Sequence, residues 1–185
     1  PVQTLIQGVI VASGNDATMA LAEHVAGSDT GFVSLMNIAA QQLHLQHSHF
    51  KNPTGLPGPG HTSSAQDLAT IAQQLITRFP TLYAGYRQKW FSYNHIRQPN
   101  RNRLLWLDPS VDGLKTGHTS TAGYCLVASA QRQKMRLISV VLGAHSDAER
   151  NAASQQLLNY GFRFFHTVKL FNPKQQITTL RTWKG

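Results

Sequence analysis

The chain has 185 residues, 41% of them hydrophobic, and carries 17 Lys and Arg against 8 Asp and Glu, which gives a formal net charge of +9 at pH 7. This length suits one domain, or one domain with a fragment of another, and the single cysteine excludes a disulfide framework or a Cys-rich metal site. The positive charge favours an anionic partner, such as nucleic acid, an anionic lipid surface or an acidic polymer, without choosing among them.

The first part of the chain is predicted to be helical. Residues 4–12 are apolar and compatible with a helix, which Ser13-Gly14-Asn15-Asp16 interrupts. A second helix follows, with Asp16 as its N-cap and Gly27 as its stop. Residues 30–45 repeat apolar side chains at i, i+3 and i+4 and therefore predict an amphipathic helix.

A loop and a further helix are predicted next. The segment "KNPTGLPGPGHTSS" is too rich in Pro and Gly for regular structure and predicts a surface loop. The segment that follows predicts a helix with Ser63 or Ser64 as cap, Asp67 in its first turn and Pro80 at its end.

The second part of the chain is predicted to be mainly strands. "KWFSYNHI" and "RLLWL" are short and aromatic, as strands are. "GLKTGHT", "GYCLVASA" and "MRLISVVLGA" predict an antiparallel meander, and "DAERNAASQQLLNYGFRFF" predicts a helix. The expected fold class is α+β: a helical subdomain and an antiparallel sheet covered by helices.

Two polar triplets stand out as candidates for chemistry. In a strand, Lys115 and Gly117 share one face and Thr116 points to the other, so a substrate could lie against the bare backbone of Gly117 beside a positive charge. Ser13 and Asn15 place a hydroxyl and an amide two residues apart, a pair suited to relaying a proton and holding a carbonyl in acyl transfer. Alone, each triplet is more often an ordinary turn or a solvated surface charge.

Together the triplets resemble a known family. S-x-x-K, S-x-N and K-T-G mark penicillin-binding proteins and class A β-lactamases, and this chain carries the second and third. The segments "SGNDATMALAEHVAG", "HFKNPTGL", "NRLLW", "VDGLKTGHTSTAGYCLVASA" and "LLNYGFRFF" resemble the low-molecular-mass D-alanyl-D-alanine carboxypeptidases of bacterial cell walls. The resemblance covers roughly residues 3 to 168 and implies a β-lactamase/transpeptidase-like fold, incomplete at its N-terminus.

The resemblance implies a role for each matched residue. Catalytic roles fall to Ser13 as proton relay, Asn15 as holder of the substrate amide and Lys115 as electrostatic stabiliser. Substrate-binding roles fall to Thr116, Gly117, His118 and Arg150, with the backbone N–H of His118 as an oxyanion donor and Arg150 near the substrate carboxylate. The alternative for Arg150 is an exposed arginine at a helix start.

The family's nucleophilic serine is expected to be missing from this chain. Its S-x-x-K motif should precede Ser13, and the only S-x-x-K here is Ser48-His49-Phe50-Lys51, which follows Ser13 and enters the Pro- and Gly-rich loop. A nucleophile needs a helix N-terminus in the cleft with a desolvated lysine base, so Ser48 is not expected to be catalytic. We expect the chain to be an internal piece of a longer protein and inactive in acylation by itself.

The resemblance also implies an organisation, a location and partners. Residues 1–168 would form a partial penicillin-binding transpeptidase-like domain, and residues 169–185 would begin a C-terminal β-rich module. The family works at the periplasmic face of the bacterial inner membrane, where it trims peptidoglycan stem peptides and influences cell shape. A membrane anchor is expected in a missing C-terminal segment, the partners are stem peptides and β-lactam antibiotics, and no cofactor or metal is implied.

Four other hypotheses remain open. A class A β-lactamase needs a deacylating glutamate between S-x-N and K-T-G, where neither Glu23 nor Glu149 lies. A non-catalytic peptidoglycan-peptide-binding relative would keep the cleft without the nucleophile. A nucleic-acid-binding protein would need a dense basic surface, and the only dense basic cluster in the sequence, at residues 97–103, is predicted to be a solvated loop. A zinc site at His44, His47 and His49 would need further ligands, and no acidic residue or Cys lies near them in the sequence.

Overall fold

The computed structural model describes residues 1–172, 174–180 and 183. Its N-terminal part is helical, as expected: helix α1 runs on into a π-helical segment, a reversal at Ser13 separates this segment from α2, and α3 and α4 follow. The bounds are α1 Val2–Gln7, the π-helical segment Gly8–Ala12, α2 Asn15–Ala26, α3 Asp29–Gln42 and α4 Ala65–Arg78.

Capping residues determine where these helices begin and end. Ser64 accepts a hydrogen bond from the Asp67 N–H at 3.1 Å, which settles the choice between Ser63 and Ser64. Gly27 ends α2 with φ 74°, as expected of a C-cap glycine. The prediction of Asp16 as N-cap is wrong: the reversal makes Gly14 the cap, and Asp16 lies inside the first turn, accepting from the N–H of Ala17.

The apolar face of α3 is only partly buried. The predicted helix is confirmed over Asp29–Gln42, although Leu43 lies just beyond its end. Leu35 and Ile38 remain 46% and 49% exposed, while Ala40 is buried. The helix therefore presents part of its apolar face to solvent in this chain.

A hairpin and two short helices link α4 to the main sheet. Helix α5 and a 3₁₀ turn precede the two-stranded antiparallel hairpin, and a four-residue helix α6 follows it. The bounds are α5 Pro80–Tyr83, the 3₁₀ turn Ala84–Arg87, β1 Trp90–Tyr93, β2 Ile96–Pro99 and α6 Leu104–Leu107.

The expectation of a strand at "RLLWL" is wrong, because this segment forms α6. The side chain of the buried Asn102 accepts a hydrogen bond from the Leu104 N–H at 3.1 Å, and the Asp108 N–H bonds to the Leu104 carbonyl. A local turn held by the Asn102 side chain thus leads into the helical turn, whose N-cap is Arg103, and overrides the strand preference of the aromatic residue.

The predicted meander is confirmed as a three-stranded antiparallel sheet in the order β3-β4-β5. Helix α7 packs on one face, where Leu126, Ala128 and Leu158 belong to one apolar cluster. Helix α4 packs on the other face, where Ala72 and Leu114 are buried. The bounds are β3 Val111–Thr119, β4 Gly123–Arg132, β5 Met135–Ala144 and α7 Asp147–Phe164.

A buried ionic network fixes the start of β3. Arg136 donates to both carboxylate oxygens of Asp112, at 2.7 and 2.8 Å, and the Tyr83 hydroxyl donates to the same carboxylate. Arg87 adds a longer ion pair at 3.4 Å. Burial alone would raise the pKa of Asp112, but these hydrogen bonds and charges lower it below its ordinary value. The strand that carries Lys115 is therefore anchored three residues before that lysine.

The last part of the chain does not test the predicted domain boundary. After Phe165 the described residues form no strand or helix, and part of the predicted β-rich module at 169–185 lies outside the described residues. The module and the boundary at 168 stay predictions. Across the part of the chain that the structure describes, no helix is both long and apolar enough to cross a membrane.

Candidate active site

All seven predicted site residues line one cleft of about 750 Å³. Its walls come from the reversal around Ser13, the loop at residues 53–56, the segment at residues 99–103, strand β3, Tyr124 at the start of β4 and the start of α7. The residues brought together are Ser13, Asn15, Lys115, Thr116, Gly117, His118 and Arg150.

The reversal at Ser13 presents a hydroxyl and an amide to the cleft. Ser13 ends the π-helical segment in the left-handed conformation, with φ 56° and ψ 43°. Gly14 then turns extended and starts α2 at Asn15, and its N–H bonds back to the Gly8 carbonyl at 3.1 Å. A Cβ at Gly14 would lie 3.0 Å from Asp16 Oδ1, so a larger residue here would require the exposed Asp16 side chain to move by a few tenths of an ångström.

Lys115 is the residue that links the two triplets. Its Nζ donates hydrogen bonds to Ser13 Oγ and, at 3.0 Å, to the carbonyl of Thr116. Burial, together with the smaller effects of the Arg101 and Arg150 charges, lowers the pKa of Lys115 to about 8. An ammonium poised near neutral pH against a hydroxyl can stabilise negative charge and exchange protons through that hydroxyl.

The cleft is strongly cationic. Among the described lining residues, four cationic side chains face one carboxylate, that of Asp147; the four are Arg101, Arg103, Lys115 and Arg150. Arg103 pairs with Asp147 at 3.2 Å, which neutralises part of this charge. The remaining excess suits a substrate that carries a carboxylate.

Gly117 leaves room beside Lys115 that the protein itself does not fill. A Cβ at this position would meet nothing closer than the Cβ of Cys125, at 3.8 Å, which is an ordinary contact. The glycine is therefore not required by packing against neighbouring strands. Its bare backbone leaves the edge of β3 open towards the cleft, as the sequence predicted.

Arg150 lies in the floor of the cleft and is not an exposed surface residue. Only 3% of it is exposed, and its guanidinium donates to Asp147 and, at 3.4 Å, to the Cys125 carbonyl. It also lies over the ring of Tyr124, which contacts the His118 ring in a tilted arrangement, with ring centroids 4.0 Å apart. Asp147 and Tyr124 thus hold the cation at a fixed depth.

Ser48 lies in a structural hydrogen-bond cluster and does not line the cleft. Its hydroxyl donates to Asp67 Oδ2 at 2.7 Å and pairs with Ser63 Oγ at 2.8 Å. Asp67 also accepts from the His47 N–H at 2.8 Å. These bonds tie the loop to the start of α4, which accounts for the serine without a catalytic role.

Sequence reasoning missed two arginines. The cluster at residues 97–103 was predicted to be a solvated loop, yet Arg101 and Arg103 line the cleft while remaining exposed. Asn100 and Asn102 between them are buried, and Asn100 bonds to the Gln88 carbonyl and the Asn102 N–H. The alternation of Asn and Arg is the sequence signal that could have predicted this arrangement.

Potential metal ligands do not gather in the described part of the chain. There, no group of three or more His, Cys, Asp or Glu side chains could hold a metal ion. His44, His47 and His49 therefore form no such site with neighbouring acids in the described structure.

The fold is similar to that of solved penicillin-binding proteins and DD-transpeptidases, which places it in the transpeptidase-like class. The peptidase S11 family, described as D-alanyl-D-alanine carboxypeptidase, matches residues 1–146, and the chain belongs to this family.

Individual relatives agree with this assignment. The D-alanyl-D-alanine carboxypeptidase DacC of Escherichia coli K12 is 51% identical over 185 residues, which is all of this chain and 46% of DacC. Penicillin binding protein 5 from Haemophilus influenzae has a TM-score of 0.92 at 48% identity, over 95% of this chain and 52% of that one. Penicillin-binding protein D2 from Listeria monocytogenes, solved in its cefotaxime-bound form, has a TM-score of 0.80 at 30% identity, over 87% of this chain and 66% of that one. The chain spans about half the length of the curated relatives it matches.

Proposed function

We propose that the protein containing this chain is a serine-type D-alanyl-D-alanine carboxypeptidase. The observation that carries the proposal is the hydrogen bond from Lys115 Nζ to Ser13 Oγ inside a cationic cleft. Family membership and the carboxypeptidase names of the relatives support it. The relatives named above are carboxypeptidases and penicillin-binding proteins, so a β-lactamase is not favoured.

The reaction is acyl transfer in two steps. A nucleophilic serine attacks the carbonyl carbon between two terminal D-alanines, and the C–N bond breaks as the departing amine takes a proton. Water then attacks the acyl ester, releases the shortened peptide and returns the proton to the serine. Ser13 relays these protons, and the positive charge of Lys115 stabilises the developing negative charge.

The remaining predicted residues hold the substrate. Asn15 holds an amide of the stem peptide, which lies along Gly117 on the open edge of β3. Thr116 and Arg150 bind the terminal carboxylate, and the backbone N–H of His118 points to the oxyanion. The positive charge of the cleft supports the assignment of an anionic C-terminus.

The acylating serine is assigned to the full gene product and not to Ser48. No S-x-x-K precedes Ser13 in this sequence, and Ser48 is bonded to Asp67 away from the cleft. The residues of this chain thus supply the proton relay, Ser13, and the wall of the cleft that holds the substrate. β-Lactams would be trapped as the acyl-enzyme, in line with the cefotaxime-bound relative.

We also place this activity at the periplasmic face of the bacterial inner membrane, in the trimming of peptidoglycan and the control of cell shape. Peptidoglycan as substrate supports this location.

The direct test is release of D-alanine from a peptide ending in D-Ala-D-Ala by the full gene product. The proposal expects release that benzylpenicillin blocks, together with a penicillin adduct on a serine of an S-x-x-K motif. Release without any penicillin adduct, or no release at all, would refute it.

A further inference from the structure

Asp147 is a carboxylate of the protein itself that lies between two arginines of the cleft. Its Oδ1 accepts a hydrogen bond from Arg150. Its Oδ2 lies 3.2 Å from Arg103 Nε and accepts from Asn151 Nδ2 at 3.1 Å. One carboxylate can therefore contact both guanidinium groups at once, and a carboxylate that arrives with a substrate must compete with Asp147 for them.

Arg150 is poorly placed to bind a substrate carboxylate by itself. Only 3% of the residue is exposed, and its Nε is buried without a hydrogen-bond partner among the described residues. Its other two nitrogens already donate to Asp147 and to the Cys125 carbonyl. Arg150 thus contributes its charge from beneath the surface of the cleft and offers few donors within reach of a ligand.

Arg103 has the opposite properties. Its side chain is 72% exposed, and the residue lines the same cleft. The contact with Asp147 uses Nε, and within the described residues neither terminal nitrogen makes a hydrogen bond or ion pair. Free guanidinium N–H groups are the donors that bind a carboxylate with two parallel hydrogen bonds. Because an exposed ion pair stabilises a fold only slightly, the Arg103 guanidinium can leave Asp147 at small cost.

The backbone beneath Arg103 is fixed although its side chain is exposed. The neighbouring Asn102 is fully buried, and its side chain accepts from the Leu104 N–H at 3.1 Å. Asn100 donates to the Gln88 carbonyl at 2.9 Å and accepts from the Asn102 N–H. The guanidinium can therefore turn towards a ligand without any rearrangement of the cleft wall.

We propose that Arg103 determines specificity for a substrate with a free C-terminal carboxylate. In the free protein its guanidinium lies against Asp147; in the complex it turns to the substrate carboxylate, while Arg150 keeps its bond to Asp147. The inference rests on the proposed function, since the ligand is the substrate of that reaction. It adds a direct contact that the resemblance to the family did not include, and it makes Asp147 a competitor for the same cation.

The test compares a peptide ending in D-Ala-D-Ala with the same peptide as its C-terminal carboxamide, both with the full gene product. Arg103→Gln should lower the ratio of kcat/KM, acid over amide, about 10-fold, the scale of a hydrogen bond to a charged group. Arg97→Gln removes one positive charge from an exposed position that does not line the cleft, and should leave this ratio unchanged.

Asp147→Asn separates a role in specificity from a structural one. If Arg103 and Asp147 only held the cleft together, loss of either partner would lower the ratio. The proposal instead expects Asp147→Asn to raise the ratio roughly 3-fold, the scale of an exposed ion pair, because both arginines lose a competing carboxylate. A fall in both variants, or an unchanged ratio in Arg103→Gln, overturns the proposal.

Failure of the proposed function has a different signature, because the unsubstituted full gene product would then hydrolyse neither peptide. Isothermal titration calorimetry with the two peptides then decides on Arg103 alone. Tighter binding of the acid, lost in Arg103→Gln and kept in Arg97→Gln, supports its role. Equal binding of acid and amide by the unsubstituted protein overturns it.

Discussion

Lys115 Nζ and Ser13 Oγ are in hydrogen-bond contact although 102 residues separate them in the chain. This contact joins the K-T-G and S-x-N triplets, each of which is unremarkable alone. It places a lysine with a lowered pKa against a hydroxyl that has an unusual left-handed backbone. Two of the predictions below concern Lys115 itself, and the other two concern Asp112 and Ser48.

Replacing Lys115 by Ala should slow acylation of the full gene product by about 10²-fold or more, since a preorganised charge is lost from the cleft. The measurement is the rate of fluorescent penicillin labelling. Lys134→Ala removes an exposed lysine in the β4–β5 turn and should leave that rate unchanged. An unchanged rate in Lys115→Ala would remove this lysine from the site.

Because Lys115 is buried, the free energy of unfolding should change with pH in the alkaline range. Its pKa falls from 10.5 to about 8 in the folded protein, so between these values the unfolded chain binds more protons than the folded one. The contribution of Lys115 to the free energy of unfolding therefore rises from pH 8 to pH 10.5 and does not change with pH below pH 8. The difference in urea midpoint between the unsubstituted protein and Lys115→Met isolates this change. A difference that is constant from pH 7 to pH 10.5 contradicts the prediction.

Loss of the Asp112 carboxylate should strongly destabilise the fold. Asp112→Asn leaves the Arg136 guanidinium without its counter-charge, and because that side chain is 25% exposed we expect a loss above about 1 kcal/mol but below the about 3 to 5 kcal/mol of a fully buried pair. Because the folded pKa of Asp112 is depressed, its contribution is present above pH 3.8 and is lost as the pH falls below that value.

Urea unfolding followed by circular dichroism measures this loss. Asp29→Asn, at an exposed helix start, is the matched control and should cost below about 1 kcal/mol. Equal losses in the two variants would show that the buried network does not stabilise the sheet.

The 185-residue chain alone should form no stable adduct with a fluorescent penicillin. Ser48 is held by Asp67 and Ser63 away from the cleft, and no lysine in the described part of the chain is bonded to it. Mass spectrometry of the chain after incubation checks this, with the full gene product as positive control. A penicilloyl group on Ser48 would overturn our interpretation of this motif.

Local sequence patterns predicted the elements that depend on short-range chemistry. Ser64 as a helix cap, Gly27 as a helix end and the β3-β4-β5 meander follow from side-chain periodicity and turn residues. The same patterns failed at α6, where one buried amide, Asn102, decided between strand and helix. Burial of a polar residue depends on distant packing and leaves little trace in the local pattern.

The site could be predicted in its parts but not in its full extent. The two triplets gave five of the cleft residues, and the resemblance to a family gave His118 and Arg150. Arg101 and Arg103 were missed because their position depends on the burial and hydrogen bonds of the neighbouring Asn100 and Asn102. The contact between the rings of Trp90 and Trp106 was missed too, since it depends on how β1 and α6 lie in the fold.

The walls of the cleft come from six separate stretches of chain, so the cleft exists only when the whole domain is assembled. Closing a loop of 102 residues between Ser13 and Lys115 costs entropy that short helices do not pay, and such distant contacts form late in folding. A partly folded or clipped molecule would keep much of its helix yet lose the pocket. Binding of a ligand in this cleft therefore reports that folding is complete. The fraction of molecules that bind the ligand should equal the fraction that resist proteolysis.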